Sequence, residues 1–290
     1  MHTLQVQGRG LSLVSSGDAT PRLLFDLLTP GRGLDAAAPV VHALFTRQGG
    51  VSAGPFGTLN VSTSVGDAPA SVAANRDKVL TMLGRPRAGL VMGGLIHGTT
   101  TARVTVDEAG CPAWDYLHDA TGVPDAARGR VIHDVDALVT NDPRVTLLIT
   151  AADCAQILVA DPRRRAVGIA HAGWRGTAAG MTTKIVAAMT AEFGSDPADL
   201  RLAVGPSLGP CCARFSNPHD ELPPWCEPYI HGHHVDLWAM NVAQARGAGL
   251  RDDRVAVAGV CTVCRRDLFF SHRGDHGKTG RFAAAIGVDV

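Results

Sequence analysis

The chain has 290 residues, with 27 Lys plus Arg against 27 Asp plus Glu, and 46% apolar against 19% charged residues. That balance excludes a disordered chain and lacks the basic excess of a general nucleic-acid binder, and the length allows one or two domains. No uncharged apolar run of about 18 residues occurs, and Met1–Gly10 carries His2, Gln5, Gln7 and Arg9 where a signal peptide needs an apolar core; no membrane partner and a cytoplasmic location are therefore expected.

Residues 1–40 read as an irregular leader, in which Leu11–Ser15 is a strand, Arg22–Leu28 a strand or short helix and Asp35–Pro39 a loop. Val41–Thr46 is strand-like and ends at Gly49-Gly50. A helix is expected over Ala70–Leu83, stopped by Gly84 and Pro86. Leu90–Ile96 and Thr101–Val106 read as strands, and Glu108–Gly129 as a long insert or loop. Short β-type runs follow at Asp136–Thr140, Val145–Thr150, Ile157–Ala160 and Val167–Ala170. A helix runs from Gly180 to Phe193, a strand covers Leu200–Val204, and Ser216–His234 reads as loop. Val235–Ala248 is a helix and Val255–Val260 a final strand. Paired strands with interspersed helices predict an α/β (α+β) layered sandwich with mixed β-sheets, a single domain over 41–290.

The densest chemical signal is Asp153-Cys154 at the head of one apolar strand and His171 at the tail of the next. A hairpin centred on Asp161–Arg164 that pairs Ile157 with Gly168 would set Cys154 directly across from His171. A thiolate and an imidazole so placed could share a zinc ion or form a nucleophile pair. His97, also at the end of an apolar run, supplies a third ligand and leaves a fourth position open, as catalytic zinc sites do. No phosphate loop, nucleophile elbow or H-E-x-x-H motif is present.

Several further motifs stand in a fixed order. They include Arg47-Gln48-Gly49-Gly50-Val51-Ser52, Leu59-Asn60-Val61, His97-Gly98, Asp136-Ala137-Leu138-Val139-Thr140, Asp153-Cys154 and Ala170-His171-Ala172-Gly173-Trp174-Arg175-Gly176. Gly205–Cys212, Cys261-Thr262-Val263-Cys264, Phe269–Arg273 and Thr279-Gly280-Arg281 complete the set. From about Val41 to Val288 the chain resembles the YfiH-type purine nucleoside phosphorylase family, long labelled polyphenol oxidase or laccase-domain. The resemblance implies a zinc enzyme that phosphorolyses adenosine, inosine, guanosine and methylthioadenosine and deaminates adenosine. It implies His97, Cys154 and His171 as metal ligands and catalytic residues, and purine nucleosides and phosphate as partners. The chain departs from the family pattern at Leu95, Gln156 and Gly274, none of them a ligand.

Arg47 and Arg175, both in Gly-bounded turns, are candidate phosphate contacts, because Arg suits bidentate oxyanion binding; Asn60 is a candidate ribose or base contact. Cys211-Cys212 with Cys261-x-x-Cys264 could be a four-cysteine zinc knuckle. Adjacent cysteines diverge along a strand, however, so buried thiols near the pocket are the preferred reading. Three rivals stand beside the leading function. A copper polyphenol oxidase is compatible with two His and one Cys, but multicopper sites need several H-x-H arrays and His231/His233 is the only such pair in the sequence. The others are a hydrolase using Cys154 with His171 as base, and a non-catalytic zinc-stabilised binding module.

Overall fold

The computed structural model describes residues 10–14, 20–32, 39–117 and 131–289. The loop expected at 35–38 and the insert over 118–129 lie outside them. In chain order the strands are β1 (Leu11–Val14), β2 (Arg22–Phe25), β3 (Val40–Phe45), β4 (Leu90–Gly94), β5 (Thr101–Val106), β6 (Pro112–Leu117), β7 (Val131–His133) and β8 (Ala137–Thr140). They continue as β9 (Thr146–Ala151), β10 (Ala155–Asp161), β11 (Ala166–Ala172), β12 (Arg201–Val204), β13 (Ile230–His231), β14 (His234–Val235), β15 (Val255–Val257) and β16 (Phe282–Val288). The α-helices are α1 (Pro69–Leu83), α2 (Trp174–Ala178), α3 (Met181–Phe193), α4 (Pro218–Glu221) and α5 (Leu237–Gly247).

Two seven-stranded mixed sheets form, in the orders β1-β2-β3-β16-β9-β4-β7 and β15-β12-β10-β11-β8-β5-β6. Their facing sides share one core. Leu44, Leu147, Ile149, Phe282 and Ile286 of the first sheet meet Leu138, Leu158, Val167 and Ile169 of the second. The outer face of the first sheet is covered by Val79, Leu80 and Leu83 of α1. The outer face of the second is covered by Met181, Ile185 and Met189 of α3 and Ala245 of α5. This is the expected layered α/β sandwich in one domain. Strands buried on both faces have no polar side to show, so β10, β11 and β16 are buried at every position.

Helix ends follow their local chemistry. α1 stops at Gly84 in the left-handed conformation (φ +66°), and α5 starts two residues later than predicted because Asp236 caps it, accepting from Ala239 N. Other boundaries differ from the sequence reading. The described part of the leader is regular: β1 and β2 form a hairpin, and β2 pairs with β3. Phe25 N donates to His42 Nε2 at 2.9 Å, so a buried histidine ties β2 to β3. Part of the insert is an edge strand, β6, which tolerates Pro112 at its start. The Ser216–His234 loop contains α4 and the small β13–β14 hairpin, and the last predicted strand ends at Val257 rather than Val260. The largest miss is β16, whose Ala-rich sequence has low intrinsic strand preference yet which lies at the centre of the first sheet. Among the described residues no helix is long and apolar enough to cross a membrane.

Candidate metal centre and its cavity

Two turns and one strand deliver the predicted trio. His97 follows β4 with φ +63°, Cys154 follows Asp153 (φ +86°) between β9 and β10, and His171 is near the end of β11. One ligand atom from each lies within 4.8 Å of the others. The two imidazoles meet edge to face with centroids 4.8 Å apart.

The hairpin register is two residues away from the predicted one. Ile157 pairs with Ala170 and Gln156, not Cys154, pairs with His171. A shift of two keeps every side chain on its expected face. Cys154 therefore reaches the cluster by way of the Asp153 turn and closes against Gly173. A Cβ at Gly173 would stand 3.0 Å from Cys154 Sγ and 3.2 Å from His97 Cδ2. Glycine at this position leaves the three ligands room to converge.

Asp136, quoted above only as a motif residue, organises the centre. Its carboxylate is fully buried and accepts from His171 Nδ1 at 2.9 Å, His97 N at 3.0 Å and Gly98 N at 2.7 Å. Burial alone would raise this carboxyl; the bond and charge of His171, with the amides of Gly98 and His97, hold it below the usual range. An ionised Asp136 accepts a hydrogen bond from the Nδ1–H of His171 and leaves Nε2 for a metal, the carboxylate–histidine arrangement common behind zinc ligands. The signal available in the sequence was an Asp at the mouth of a wholly buried apolar strand.

Charge is coupled across the cluster. Burial pulls His171 down, but Cys154 and Asp136 outweigh it and raise the imidazole to about 9. Burial pushes Cys154 up, but His171 and His97 lower it to about 6. Two nitrogens and one thiolate, with a buried carboxylate behind one of them, form a donor set suited to zinc or copper.

The trio lies in the wall of a cavity of about 790 Å³, a volume typical of small-molecule sites. Arg76, Arg175, Arg273 and Arg281 line it, together with Trp174 and Phe215. Trp174 and Phe215 pack edge to face at 5.6 Å. Arg175 is exposed, stacks on Trp174 at 4.2 Å and belongs to α2, a short helix where a turn was expected. Arg47 and Asn60 do not line the cavity. Arg47 donates to the carbonyls of Gly57 and Arg266 and lies over Phe270. The fully buried Asn60 amide bonds Ser62, Asp67 and the backbone N of Arg281, so it touches the cavity only at second hand, through the lining residues Ser62 and Arg281. Sequence reasoning did not single out Arg76, or Arg273 and Arg281, which it quoted only as motif residues, as cavity cations.

The four remaining motif cysteines also behave differently from expectation. Cys211 and Cys264 are exposed rather than buried, and the sulfurs of Cys211, Cys212, Cys261 and Cys264 all lie within 4.8 Å of one another. The divergence argument fails because Cys211-Cys212 stands in a turn, where Cys212 N and Ala213 N both donate to Gly209 O.

Residues 41–289 match the family model described as multi-copper polyphenol oxidoreductase laccase. The chain is 36% identical over 265 residues to the purine nucleoside phosphorylase YlmD of Geobacillus stearothermophilus, covering 88% of this chain and 92% of that protein. It is 35% identical over 258 residues to a purine nucleoside phosphorylase of Deinococcus radiodurans, covering 86% and 89%. Among solved structures, YlmD from Geobacillus stearothermophilus superposes with a TM-score of 0.77 at 30% identity, covering 96% of this chain and 99% of that one. The hypothetical protein YfiH of Bacillus licheniformis does so with a TM-score of 0.75 at 31% identity, covering 86% and 93%.

Proposed function

The chain belongs to the family of YlmD and YfiH, the one described as multi-copper polyphenol oxidoreductase laccase, and we propose that it is a zinc-dependent purine nucleoside phosphorylase with adenosine deaminase activity. Its substrates are adenosine, inosine, guanosine and methylthioadenosine, with phosphate or water as the second reactant. The observation that carries this reading is the meeting of the His97–Cys154–His171 trio with an arginine-lined cavity of about 790 Å³. A zinc ion held by the trio supplies a Lewis acid at the cavity wall.

The protein's own groups account for the rest. Asp136 keeps His171 in one tautomer and one orientation. The guanidinium of Arg175, exposed at the cavity, binds a phosphate oxyanion in bidentate fashion. Arg281, half-buried beside Cys154 and Asp153, adds a second cation, and Asn60 positions it. Trp174 and Phe215 offer an apolar surface for a purine ring. In phosphorolysis a phosphate oxygen forms a bond to the anomeric carbon as the glycosidic C–N bond breaks, and the base leaves with the electron pair and takes up a proton. In deamination water adds at C6 and ammonia departs.

The copper oxidase reading shares the trio but needs further copper ligands. Among the described residues the other metal-competent group is the four-cysteine cluster, which contains no histidine. That composition favours the phosphorylase.

The test is a nucleoside panel with and without phosphate, resolved by chromatography. Adenosine is expected to give adenine and ribose 1-phosphate with phosphate, and inosine without it. No product from any purine nucleoside overturns the reading; phenol-dependent oxygen uptake by the copper-loaded protein would replace it with the oxidase. Turnover that survives chelation would point instead to Cys154 and His171 acting as a metal-free nucleophile pair.

A further inference from the structure

Outside that centre, the four-cysteine cluster is the densest group of metal-competent side chains among the described residues. Cys264 Sγ lies 3.7 Å from Cys211 Sγ and 3.6 Å from Cys212 Sγ, and all four sulfurs fall within 4.8 Å. Tetrahedral zinc with Zn–S bonds of about 2.3 Å sets its sulfurs about 3.8 Å apart. A disulfide needs about 2.05 Å, and all four are free thiols. We propose that Cys211, Cys212, Cys261 and Cys264 bind a second zinc ion as a closed tetrathiolate site, distinct from the His97–Cys154–His171 centre.

The backbone is arranged for this. The turn at Gly209 swings two adjacent cysteines to one side, and Cys261-Thr262-Val263-Cys264 forms a second turn facing it, closed by Arg265 N on Cys261 O at 2.9 Å. Gly209 N crosses between the two turns to Cys261 Sγ at 3.4 Å, an amide dipole that favours a thiolate there. Amides of Cys264, Gly209 and Val263 oppose the burial of Cys261 and hold its thiol below the ordinary value. Burial and the neighbouring sulfurs push Cys212 up to about 11 and Cys211 higher still. Soft thiolate donors in a closed tetrahedron select zinc over the hard divalent ions.

The site would fasten the two loops that form one wall of the catalytic cavity. Leu208 and Phe215 flank the first cysteine pair, and His272 and Arg273 follow the second; all four line the cavity. Both loops are bonded to the turn that carries Cys154. Leu208 N donates to Asp153 O at 2.7 Å, while Thr262 Oγ1, Ser271 Oγ and Arg273 N donate to the Asp153 carboxylate at 2.6, 2.7 and 2.6 Å. Arg273 also donates to Cys212 O at 2.8 Å. A zinc clip at this position is therefore a structural support for the catalytic cysteine's turn.

The experiment counts zinc in the full-length protein and reads the cobalt-substituted spectrum. Wild type is expected to hold two zinc ions per chain, with His171→Ala and Cys264→Ser each holding one fewer. Cobalt bound to His171→Ala should show the intense sulfur-to-metal absorption of four thiolates, which Cys264→Ser should lack. A wild-type count of one that falls to zero in His171→Ala overturns the proposal, as does a Cys211–Cys264 disulfide or iron in place of zinc. If Cys264→Ser does not fold, the wild-type count and the His171→Ala spectrum still decide. No step uses nucleoside turnover, so this inference and the phosphorylase reading fail independently.

Discussion

His42 and His171 are both strand histidines, 5% and 3% exposed, yet their protonation is driven in opposite directions. His42, in the first sheet, accepts one bond from the Phe25 amide, and burial lowers it to about 4 against a weaker pull from Asp26. His171, in the second sheet, is buried as deeply, but Cys154 and Asp136 raise it to about 9. Residue type and burial are the same; the anions on either side differ. A buried histidine with one neutral partner is a neutral strut, whereas one held between a thiol and a carboxylate keeps its proton, which a metal at that position would have to displace.

The comparison breaks most readily by removing the imidazoles. His171→Ala should lose its share of zinc and drop nucleoside turnover to background. His42→Gln, which keeps an acceptor for Phe25 N, should leave kcat/KM within about twofold because the sites are independent. Steady-state kinetics on both variants checks this, and equal losses would remove the distinction.

Next in size is acid stability. His42 drops from 6.5 to about 4 on folding, which at 1.36 kcal/mol per unit corresponds to about 3 kcal/mol. A base whose folded value is depressed contributes fully above its unfolded value. That contribution is lost as pH falls from 6.5 towards 4. Urea unfolding at pH 7 and pH 4 should show wild type losing about 3 kcal/mol more than His42→Gln; parallel losses would mean that His42 is not the titrating group.

Asp136→Asn sharpens the other half. It keeps the shape but removes the anion behind His171, and zinc affinity should fall about 10–100-fold in a chelator competition. An unchanged affinity would show that Cys154 alone sets the state of His171. The smallest expected effect is Gly173→Ala. The glycine has φ −62°, so alanine suits the backbone, but its Cβ would crowd Cys154 and His97. A displacement of a few tenths of an ångström should cost about tenfold in kcat/KM, with about 1 kcal/mol of stability lost to overpacking at this buried glycine. A larger loss of stability would mean that the crowding is relieved by local unfolding instead.

His97, Cys154 and His171 could be singled out together because they stand at the ends of apolar runs and within motifs shared with a known family. The layered fold was legible because apolar runs without alternation imply sheets covered on both faces. The register was not, since nothing in Asp161–Arg164 announces where the hairpin turns, and Gln156 took the place expected of Cys154. Asp136 was visible as a motif residue, but the backbone donors of Ile96, His97 and Gly98 that converge on it depend on a turn at His97 that no local pattern encodes. The arginine wall was hidden because Arg76 and Arg175 are far in sequence from Arg273 and Arg281, and no local pattern brings them to one cavity. The cysteine cluster was misread because the divergence of adjacent side chains holds in strands and fails in turns.

The position of β16 bears on how the molecule is assembled. It follows every other strand in chain order, yet it pairs with β3 on one side and β9 on the other, matching Ala284 to Leu44 and to Ile149. Until it docks, those two strands expose unpaired edges and the shared core lacks Phe282 and Ile286. Closing so long a loop is entropically slow, and open edges at that stage invite intermolecular pairing. Since β9 leads directly into the Asp153–Cys154 turn, the pairing of β16 with β9 that completes the first sheet also anchors the strand from which that turn springs.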